Sequence, residues 1–455
     1  MPATQPNIVL VIVHDLGQHL GCYGVPEVRS PNLDALASDG VRFANSFCTA
    51  PQCSPSRASL FTGRYPHQNG MMGLAHAEFA WDIRSDEEHL AGALAGAGYR
   101  TALIGFQHET RRPEEMGFHD FDYRWQDSSE NISAAAADYV RARAADKQPF
   151  YLQVGIVEPH RRFDMYGGTP DDVNGVHIPP FIVPDEGARE DFSGFQGAIR
   201  KMDASVGTII DAVERSGRGG DTLFVFTTDH GMPFPKAKCS LYDAGIEVAL
   251  IARYPDRGWN GGRVVEPMVS NIDLRPTLLE LAGGAPTGDG GCHEAEGRSL
   301  VPLLDGDEGD DGDATAGRAP GEAAAGGRDR VFAEMTWHSY YDPMRCVRSD
   351  RYKLIANFST APFIQDPSQM WRPLCTPRDP VPQTGHHPDF ELYDLAADPA
   401  ELGNVFDDPA HAGARDALLT ELAEWMNATG DSLLTEEPRS PHHARVAGRL
   451  RAALG

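Results

Sequence analysis

Short runs of aliphatic and β-branched residues alternate with helical stretches over about the first 285 residues of the chain. This alternation is typical of an α/β domain with a largely parallel, buried sheet. The sequence therefore predicts a large, mostly parallel central sheet flanked by helices. Predicted strands cover residues 8–13, 101–104, 150–157, 222–226 and 248–251, and predicted helices cover residues 32–39, 87–97, 132–145, 194–216 and 273–282.

The rest of the sequence predicts a smaller α+β domain that follows a linker. Residues 305–313 are all Asp, Glu or Gly, and the sequence up to residue 328 is rich in Ala and Gly. A calcium loop of the EF-hand type is disfavoured, because Gly309 and Asp310 stand where that loop requires a ligand and then a glycine. Further strands are predicted at residues 331–332, 345–348, 352–358 and 391–395, with a helix at 415–426. The predicted division is an α/β domain (1–300), an acidic Gly/Ala-rich linker or loop (301–330) and a C-terminal α+β domain (331–455).

Length and charge narrow the classes of function. The chain has 455 residues, beyond the roughly 250–300 residues at which a single hydrophobic core stops growing. Its formal net charge of -26 repels nucleic acid and anionic membranes, so neither is a predicted partner. No apolar run approaches the roughly 20 residues of a membrane helix. No basic leader precedes the first apolar run, so the predicted location is cytoplasmic.

The cysteines predict free thiols. There are seven, an odd number, and none forms a C-x-x-C motif. A chain of this length does not need disulfides to stabilise its core, so a reducing compartment is the expected environment.

Polar residues follow four of the predicted strands. Ligands bind to open α/β sheets outside the carboxyl ends of the strands, so these residues are expected to meet. A single Asp after a strand is typically the cap of the next helix, and a single His is typically a structural residue. Four strands that all end in such residues favour a shared site. Carboxylates and imidazoles together suit a divalent cation. The predicted ligands from two of these ends are His14, Asp15, Asp229 and His230, and the other two ends carry His108 and His160.

The segment 53–63 predicts an anion site at the start of a helix. Pro55 suits the first turn, Ser54 the cap and Gly63 the end of this helix, which puts Cys53 just ahead of the helix N-terminus. Unpaired amides and the helix dipole at that position lower the pKa of a thiol and bind oxyanions. Arg57, one turn later, adds a fixed positive charge.

Segment 53–63 resembles the signature of the type I sulfatases, in which the cysteine of C-x-P-S-R is oxidised after translation to formylglycine. Four further segments, in order along the chain, are similar to sulfatase segments: His-Gln-Asn-Gly-Met-Met-Gly-Leu at 67–74, Glu-Pro-His-Arg at 158–161, Asp-His-Gly-Met-Pro-Phe-Pro at 229–235 and Glu-Leu-Tyr-Asp-Leu at 391–395. Together they look most like the heparan N-sulfatase (sulfamidase) branch. The resemblance covers nearly the whole chain except the acidic linker and residues 360–387, and it implies the alkaline phosphatase/sulfatase fold.

The resemblance also implies a role for each matching residue. Cys53 would become formylglycine, whose hydrated aldehyde supplies the attacking oxygen. Asp15 and Asp229 would orient a divalent metal, with His14, His230 and the modified Cys53 as further ligands. The remaining catalytic residues would be Arg57, which holds the hydrate, His108, which takes its second hydroxyl proton, and His160 and Lys238, which contact sulfate and protonate the leaving atom.

Three departures from the family pattern affect these roles. His14 stands where sulfatases usually have a second aspartate, and His230 stands where they often have an asparagine. The family resemblance implies calcium, but two imidazoles make the site less purely hard, so manganese or another transition ion is left open. Phe106 stands where many sulfatases have a sulfate-binding lysine, and Lys236 from another loop is the nearest replacement in the sequence. Loss of such a cation lowers transition-state stabilisation unless another group compensates.

The leading prediction is metal- and formylglycine-dependent hydrolysis of a sulfate ester or sulfamate of a small sugar-like molecule. Arg161, Lys236 and His338 are predicted to bind the substrate. The predicted partners are that sulfated molecule and a formylglycine-generating maturation enzyme, and a homodimer is left open. One alternative is a phosphonate or phosphate ester hydrolase of the same fold. Another is a weakened relative that binds sulfated ligands without hydrolysing them.

Overall fold

A computed structural model describes residues 5–76, 79–125, 127–284, 295–306, 326–361 and 385–452. In chain order the strands are β1 (Asn7–Val13), β2 (Val41–Phe43), β3 (Ser46–Phe47), β4 (Arg100–Gly105), β5 (Asp120–Tyr123), β6 (Phe150–Gly155), β7 (Thr222–Thr228), β8 (Leu250–Arg253), β9 (Arg263–Val265), β10 (Val269–Ser270), β11 (Val331–Trp337), β12 (Tyr341–Arg348), β13 (Tyr352–Asn357) and β14 (Phe390–Asp394). The helices are α1 (Pro31–Asp39), α2 (Cys53–Thr62), α3 (Pro66–Asn69), α4 (Leu90–Gly96), α5 (Ser129–Arg143), α6 (Glu186–Arg215), α7 (Asp243–Ile246), α8 (Leu274–Leu281), α9 (Val301–Leu304), α10 (Ala412–Ala428) and α11 (Pro441–Ala452).

The central sheet has eight strands in the order β5-β4-β6-β1-β7-β8-β2-β9. Five neighbouring pairs are parallel. The two pairs that involve β8 are antiparallel. The predicted large, mostly parallel sheet flanked by helices is therefore confirmed.

Strand β1 shows why this sheet is buried on both faces. Val9, Val11 and Val13 belong to the core on one side, while the intervening aliphatic residues belong to the core on the other side. Helices α1, α5 and α6 cover the first face, and helices α2, α4 and α8 cover the second. Each fully buried aliphatic side chain contributes about 1.5–3 kcal/mol, so the alternation along β1 fixes the strand at the centre of the fold.

Several element boundaries differ from the predicted ones, and two of these differences have a clear local cause. Helix α6 begins at Glu186 instead of residue 194, because the Asp185 side chain accepts a hydrogen bond from the Ala188 amide and caps the helix earlier. Strand β6 ends at Gly155 instead of residue 157. A Cβ at Gly155 would lie 1.7 Å from the Phe106 carbonyl oxygen, so the glycine lets the loop after β4 pass close to β6.

The C-terminal region contains an antiparallel sheet of four strands, in the order β11-β12-β13-β14. One face packs against residues of the large domain, including Phe47 and Tyr242. The other face packs against α10 through Trp425 and its neighbours. The predicted α+β character of this region is confirmed, while the domain boundaries stay a prediction.

The two described ends of the predicted linker belong to the folded core. Residues 301–304 form helix α9, and Val301 and Leu304 are buried. At the other end, Arg328 is buried and pairs with Asp273. Residues 307–325 lie outside the described residues, and the bounds of the linker at 301–330 stay a prediction.

The described cysteines carry free thiols, in agreement with the sequence. They are Cys22, Cys48, Cys53, Cys239 and Cys346. Cys292 and Cys375 lie outside the described residues. Within the described part of the chain, none of the helices has both the length and the apolar character needed to cross a bilayer. The cytoplasmic location stays a prediction.

Candidate active site

The four polar strand ends meet at one edge of the sheet. Strands β4, β6, β1 and β7 are consecutive neighbours in the strand order. Because all four run parallel, the segments after them leave the sheet at the same edge. The sequence prediction that these ends form one site is thus consistent with the topology.

Helix α2 brings a cysteine to this edge. The helix begins at Cys53, with Gln52 as N-cap and Gly63 in the left-handed conformation at its end. Helix α2 therefore begins two residues earlier than predicted, with Cys53 as its first residue, and Ser54 is not the cap. The Ser54 hydroxyl instead accepts a hydrogen bond from the Ala75 amide at 3.0 Å and holds a second loop beside the helix.

Five potential metal ligands converge in a buried cluster. One ligand atom from each residue lies within 4.8 Å of all the others. His230 Nε2 lies 3.1 Å from Asp15 Oδ1 and 3.5 Å from the Cys53 sulfur. On the other side, His14 Nδ1 lies 2.6 Å from Asp15 Oδ1 and 3.3 Å from Asp229 Oδ2. These are the residues for which the sequence predicted a metal site.

The Asp229 carboxylate is fixed by backbone amides and by Arg57. Asp15 has a φ of 57°, a left-handed conformation that is uncommon outside glycine, and its amide donates to Asp229 Oδ1 at 3.0 Å. The His230 amide donates to the same oxygen at 2.9 Å. Arg57 Nε donates to the other oxygen of Asp229 at 3.0 Å, and Arg57 Nη2 donates to the Val13 carbonyl. Helix α2 and the ends of β1 and β7 are therefore locked together at the site.

Cations offset the buried charge of the carboxylates. Lys238 Nζ lies 2.9 Å from both carboxylate oxygens of Asp15. Burial alone would raise the pKa of Asp15, but Lys238 and the surrounding imidazoles outweigh it and hold that pKa well below its usual range. Burial likewise disfavours charge on His230, yet Asp229 and Asp15 raise its pKa to about 10.

The predicted nucleophile and proton carriers have different electrostatic environments. Burial opposes ionisation of Cys53, but Lys238 and His14 reverse this effect and hold the pKa of the thiol well below its usual value. Burial lowers the pKa of both His108 and His160 to about 4, which keeps these imidazoles neutral and able to accept a proton.

Phe106 forms an aromatic wall of the site at the position of the usual lysine. Its side chain is buried, and its ring centroid lies 5.2 Å from that of His14 and 5.3 Å from that of His108. The Arg57 guanidinium lies over the ring at 5.1 Å from the centroid. Phe106 thus packs against the Arg57 guanidinium and supplies no charge in place of the usual lysine.

Arg161 and Lys236, both predicted to bind the substrate, contact other residues of the chain. The Arg161 guanidinium makes two hydrogen bonds to the Asp191 carboxylate, at 2.6 and 2.5 Å, and is buried between aromatic rings. Lys236 Nζ donates to the Glu401 carbonyl at 2.7 Å and lies over the Tyr242 ring. These contacts hold the loops together, and a role of either residue in substrate binding stays a prediction.

His338 does lie close to the cluster. Its side chain is buried, and burial together with the nearby charge of Lys238 lowers its pKa to about 3. The sequence missed His76, whose Nδ1 lies 2.6 Å from His108 Nε2. No local pattern marks His76, because the contact joins two loops that are 32 residues apart in the chain.

A second group of potential ligands is already neutralised. His67, Glu334 and Asp431 also approach one another closely. Arg345 Nε, however, lies 2.5 Å from Asp431 Oδ2 and 3.4 Å from Glu334 Oε2. A fixed guanidinium thus occupies the position that a cation would take, so we describe this group as a structural ion-pair network.

Comparison with known proteins identifies the family of this chain. The Sulfatase family model matches residues 6–285. N-sulphoglucosamine sulphohydrolase of Homo sapiens is 30% identical to the chain over 479 residues, which covers 93% of this chain and 90% of that protein. Arylsulfatase A of Homo sapiens is 29% identical, with 96% and 90% covered.

The fold alone is shared more widely. The phosphonate monoester hydrolase of Agrobacterium radiobacter has a structure that superposes with a TM-score of 0.67 at 20% identity, covering 96% of this chain and 99% of that one. The fold therefore does not distinguish between sulfate and phosphoryl substrates. The family match over most of the chain does, and we conclude that this chain belongs to the sulfatase family and is a sulfuric ester or sulfamate hydrolase.

Proposed function

We propose that this chain is a metal- and formylglycine-dependent hydrolase that releases sulfate from a small sulfated sugar, either a sulfate ester or a sulfamate of the N-sulfoglucosamine type. The observation that carries the proposal is the position of Cys53, at the N-terminus of α2 and in one buried cluster with Asp15, Asp229 and two histidines. The similarity to N-sulphoglucosamine sulphohydrolase supports a sulfamate as the substrate.

The residues of the cluster fit both implied groups. His14, Asp15, Asp229 and His230 would hold a divalent cation, which would neutralise sulfate oxygens and lower the pKa of a bound hydroxyl. Calcium is expected from the family, and the two imidazoles also suit manganese. A formylglycine derived from Cys53 by a maturation enzyme would supply the attacking hydroxyl. Arg57 Nη1 is buried without a hydrogen-bond partner among the described residues, so it is available to an oxyanion.

The chain's own side chains would move two protons. His108, neutral and beside Cys53, would accept a proton from the nucleophilic position. His160 and Lys238 would face the leaving atom, which takes up a proton as its bond to sulfur breaks. The side chain of His160 is 22% exposed, so it can exchange protons with solvent. Lys238 stays charged because Asp15 and Cys53 outweigh its burial and raise its pKa.

We expect sulfate release to exceed phosphate release on one preparation of the enzyme. N-sulfoglucosamine, an aryl sulfate, and a matched aryl phosphate and aryl phosphonate would be assayed side by side, with mass spectrometry of the Cys53 peptide on the same batch. The expected result is an aldehyde at residue 53 and a higher kcat/KM for the sulfated substrates. A higher kcat/KM for the phosphoryl substrates would overturn the proposal in favour of the phosphoryl alternative. Tight binding of sulfated sugars without turnover, at confirmed modification, would indicate a binding protein.

We expect Asp15→Asn to weaken metal binding by about 100-fold or more, because one of two buried anionic ligands is lost. Isothermal titration with Ca²⁺ and with Mn²⁺ would measure this directly, without reference to turnover. The matched control is His67→Gln in the second cluster, which should leave both affinities unchanged because Arg345 neutralises that cluster. Equal affinity of Asp15→Asn and the unsubstituted protein would contradict the assignment.

A further inference from the structure

A cavity of about 280 Å³ opens beside the metal-ligand cluster and reaches one proposed catalytic residue, His108. It is lined by His108 and its partner His76, and by Arg111, Tyr123 and Trp125. Ala75, which also lines it, is hydrogen-bonded to the first turn of α2 through Ser54. Ligand pockets typically measure about 300–1,000 Å³, so this cavity suits a single ring and not an extended chain.

An exposed tryptophan forms one wall of this cavity. Trp125 is 42% exposed, and rings inside the site support it: its centroid lies 5.4 Å from that of Phe106 and 5.6 Å from that of His108. His76 also contacts it, at 6.1 Å between centroids. Tyr123, 37% exposed, extends the wall. A rigid aromatic surface that stays partly exposed is suited to stack on the apolar face of a ring.

Arg111 brings a positive charge to the same cavity. Its amide is anchored by Asp82 Oδ1 at 3.2 Å, and its side chain is exposed. The neighbouring Arg112 is paired with Asp82 and Glu115. By contrast, the guanidinium of Arg111 has no carboxylate partner within the described part of the chain. In a protein with a net charge of -26, an unpaired arginine beside the site marks a position for an anion.

We propose that this cavity holds the sugar ring of the substrate, stacked on Trp125, and that the substrate carries a second anionic group bound by Arg111. This inference rests on the proposed function and narrows the substrate from small sulfated sugars in general to those with at least two anionic groups. This assignment also gives Phe106 a role. Phe106 lacks the positive charge of the usual lysine at the reacting sulfate, but its ring supports Trp125, on which the sugar would stack.

The test compares two sugars that differ by one sulfate, D-glucosamine 2-N-sulfate and D-glucosamine 2-N,6-O-disulfate. The unsubstituted enzyme should have the higher kcat/KM for the disulfate. Arg111→Gln should reduce the ratio of kcat/KM for disulfate over monosulfate by roughly 10-fold, the effect of one charge-assisted contact. Arg112→Gln is the matched control, since this neighbour is paired with Asp82, and it should leave the ratio unchanged. Trp125→Ala should raise KM for both sugars, with a smaller change in kcat.

Binding measured without turnover separates this inference from the proposed function. On a Cys53→Ala background, titration calorimetry would give the dissociation constants of both sugars with and without Arg111→Gln. A preference for the disulfate that falls about 10-fold with Arg111→Gln supports the subsite, even if the native enzyme releases no sulfate. An unchanged preference overturns the subsite, even if the native enzyme releases sulfate from both sugars.

Discussion

Cys53→Ala should abolish sulfate release while the fold is retained. The substitution removes the only group from which the proposed nucleophile can form, so we expect kcat to fall by about 10⁴-fold or more. The structural cost is small, because loss of one buried sulfur costs about 1 kcal/mol and the backbone contacts of α2 are unchanged. Sulfate release by ion chromatography, with circular dichroism and urea unfolding of the same samples, measures both effects.

Cys346→Ala is the matched control for this experiment. Cys346 is also fully buried, but it lies in β12 within the core of the C-terminal sheet. It should lose a similar amount of stability and keep the kcat of the unsubstituted enzyme. Two results would contradict the role of Cys53. Retained turnover in Cys53→Ala would mean that another group attacks sulfur, and global unfolding would mean that the cysteine is structural.

The sheet and the cluster could be predicted from sequence because both follow from local rules. Continuous aliphatic runs such as β1 mark strands buried on two faces, and the carboxyl ends of parallel strands share one edge. His14-Asp15 and Asp229-His230 directly follow neighbouring strands, so their meeting required only the strand order. The order itself is not local, and the sequence does not predict it; the sulfatase-like segments imply only that these ends share one site.

Long-range pairing could not be predicted. Arg161 looks like a free cation next to His160, yet it is bound by Asp191, a residue 30 positions away on α6. Lys236 is held by a carbonyl 165 positions away. A sequence shows which residues are charged but not which partner neutralises each of them. Paired and unpaired cations therefore cannot be distinguished from the sequence alone. For the same reason the sequence does not single out Arg111. Its lack of a carboxylate partner among the described residues is visible only in the folded chain.

Lys353→Met should cost the largest share of stability among substitutions outside the site. Lys353 is fully buried in β13, and its ammonium lies 2.5 Å from Asp243 and 2.9 Å from Glu401. This network joins the C-terminal sheet to α7 and to the segment that binds Lys236. Removing the ammonium leaves buried carboxylates without their cation, and breaking such a pair costs about 3–5 kcal/mol. Urea unfolding at neutral pH measures the loss.

Arg351→Met is the control for this prediction. Arg351 also pairs with a carboxylate, Asp394, at 2.7 Å, but its side chain is 61% exposed. Exposed pairs contribute about 0–1 kcal/mol. The two substitutions remove the same type of charge two positions apart, so a similar loss in both would show that the effect of Lys353→Met does not come from buried charge.

The destabilisation by Lys353→Met should also grow with pH. In the folded protein, burial and the neighbouring charge of Asp243 raise the pKa of Glu401 to about 7 and that of Glu247 to about 8, against the lowering effects of Lys353 and Arg348. A carboxyl whose folded pKa is raised contributes stability that is fully present below its unfolded pKa and is lost as pH rises through the folded pKa. The unsubstituted protein should therefore lose stability from about pH 4.5, the ordinary pKa of a glutamate, to about pH 8. Without the ammonium the carboxylates are harder to ionise, so the difference between Lys353→Met and the unsubstituted protein should be larger at the upper pH. Urea unfolding of both proteins across this pH range measures the difference in their free energies of unfolding. If that difference is independent of pH, Lys353 acts through packing and not through its charge.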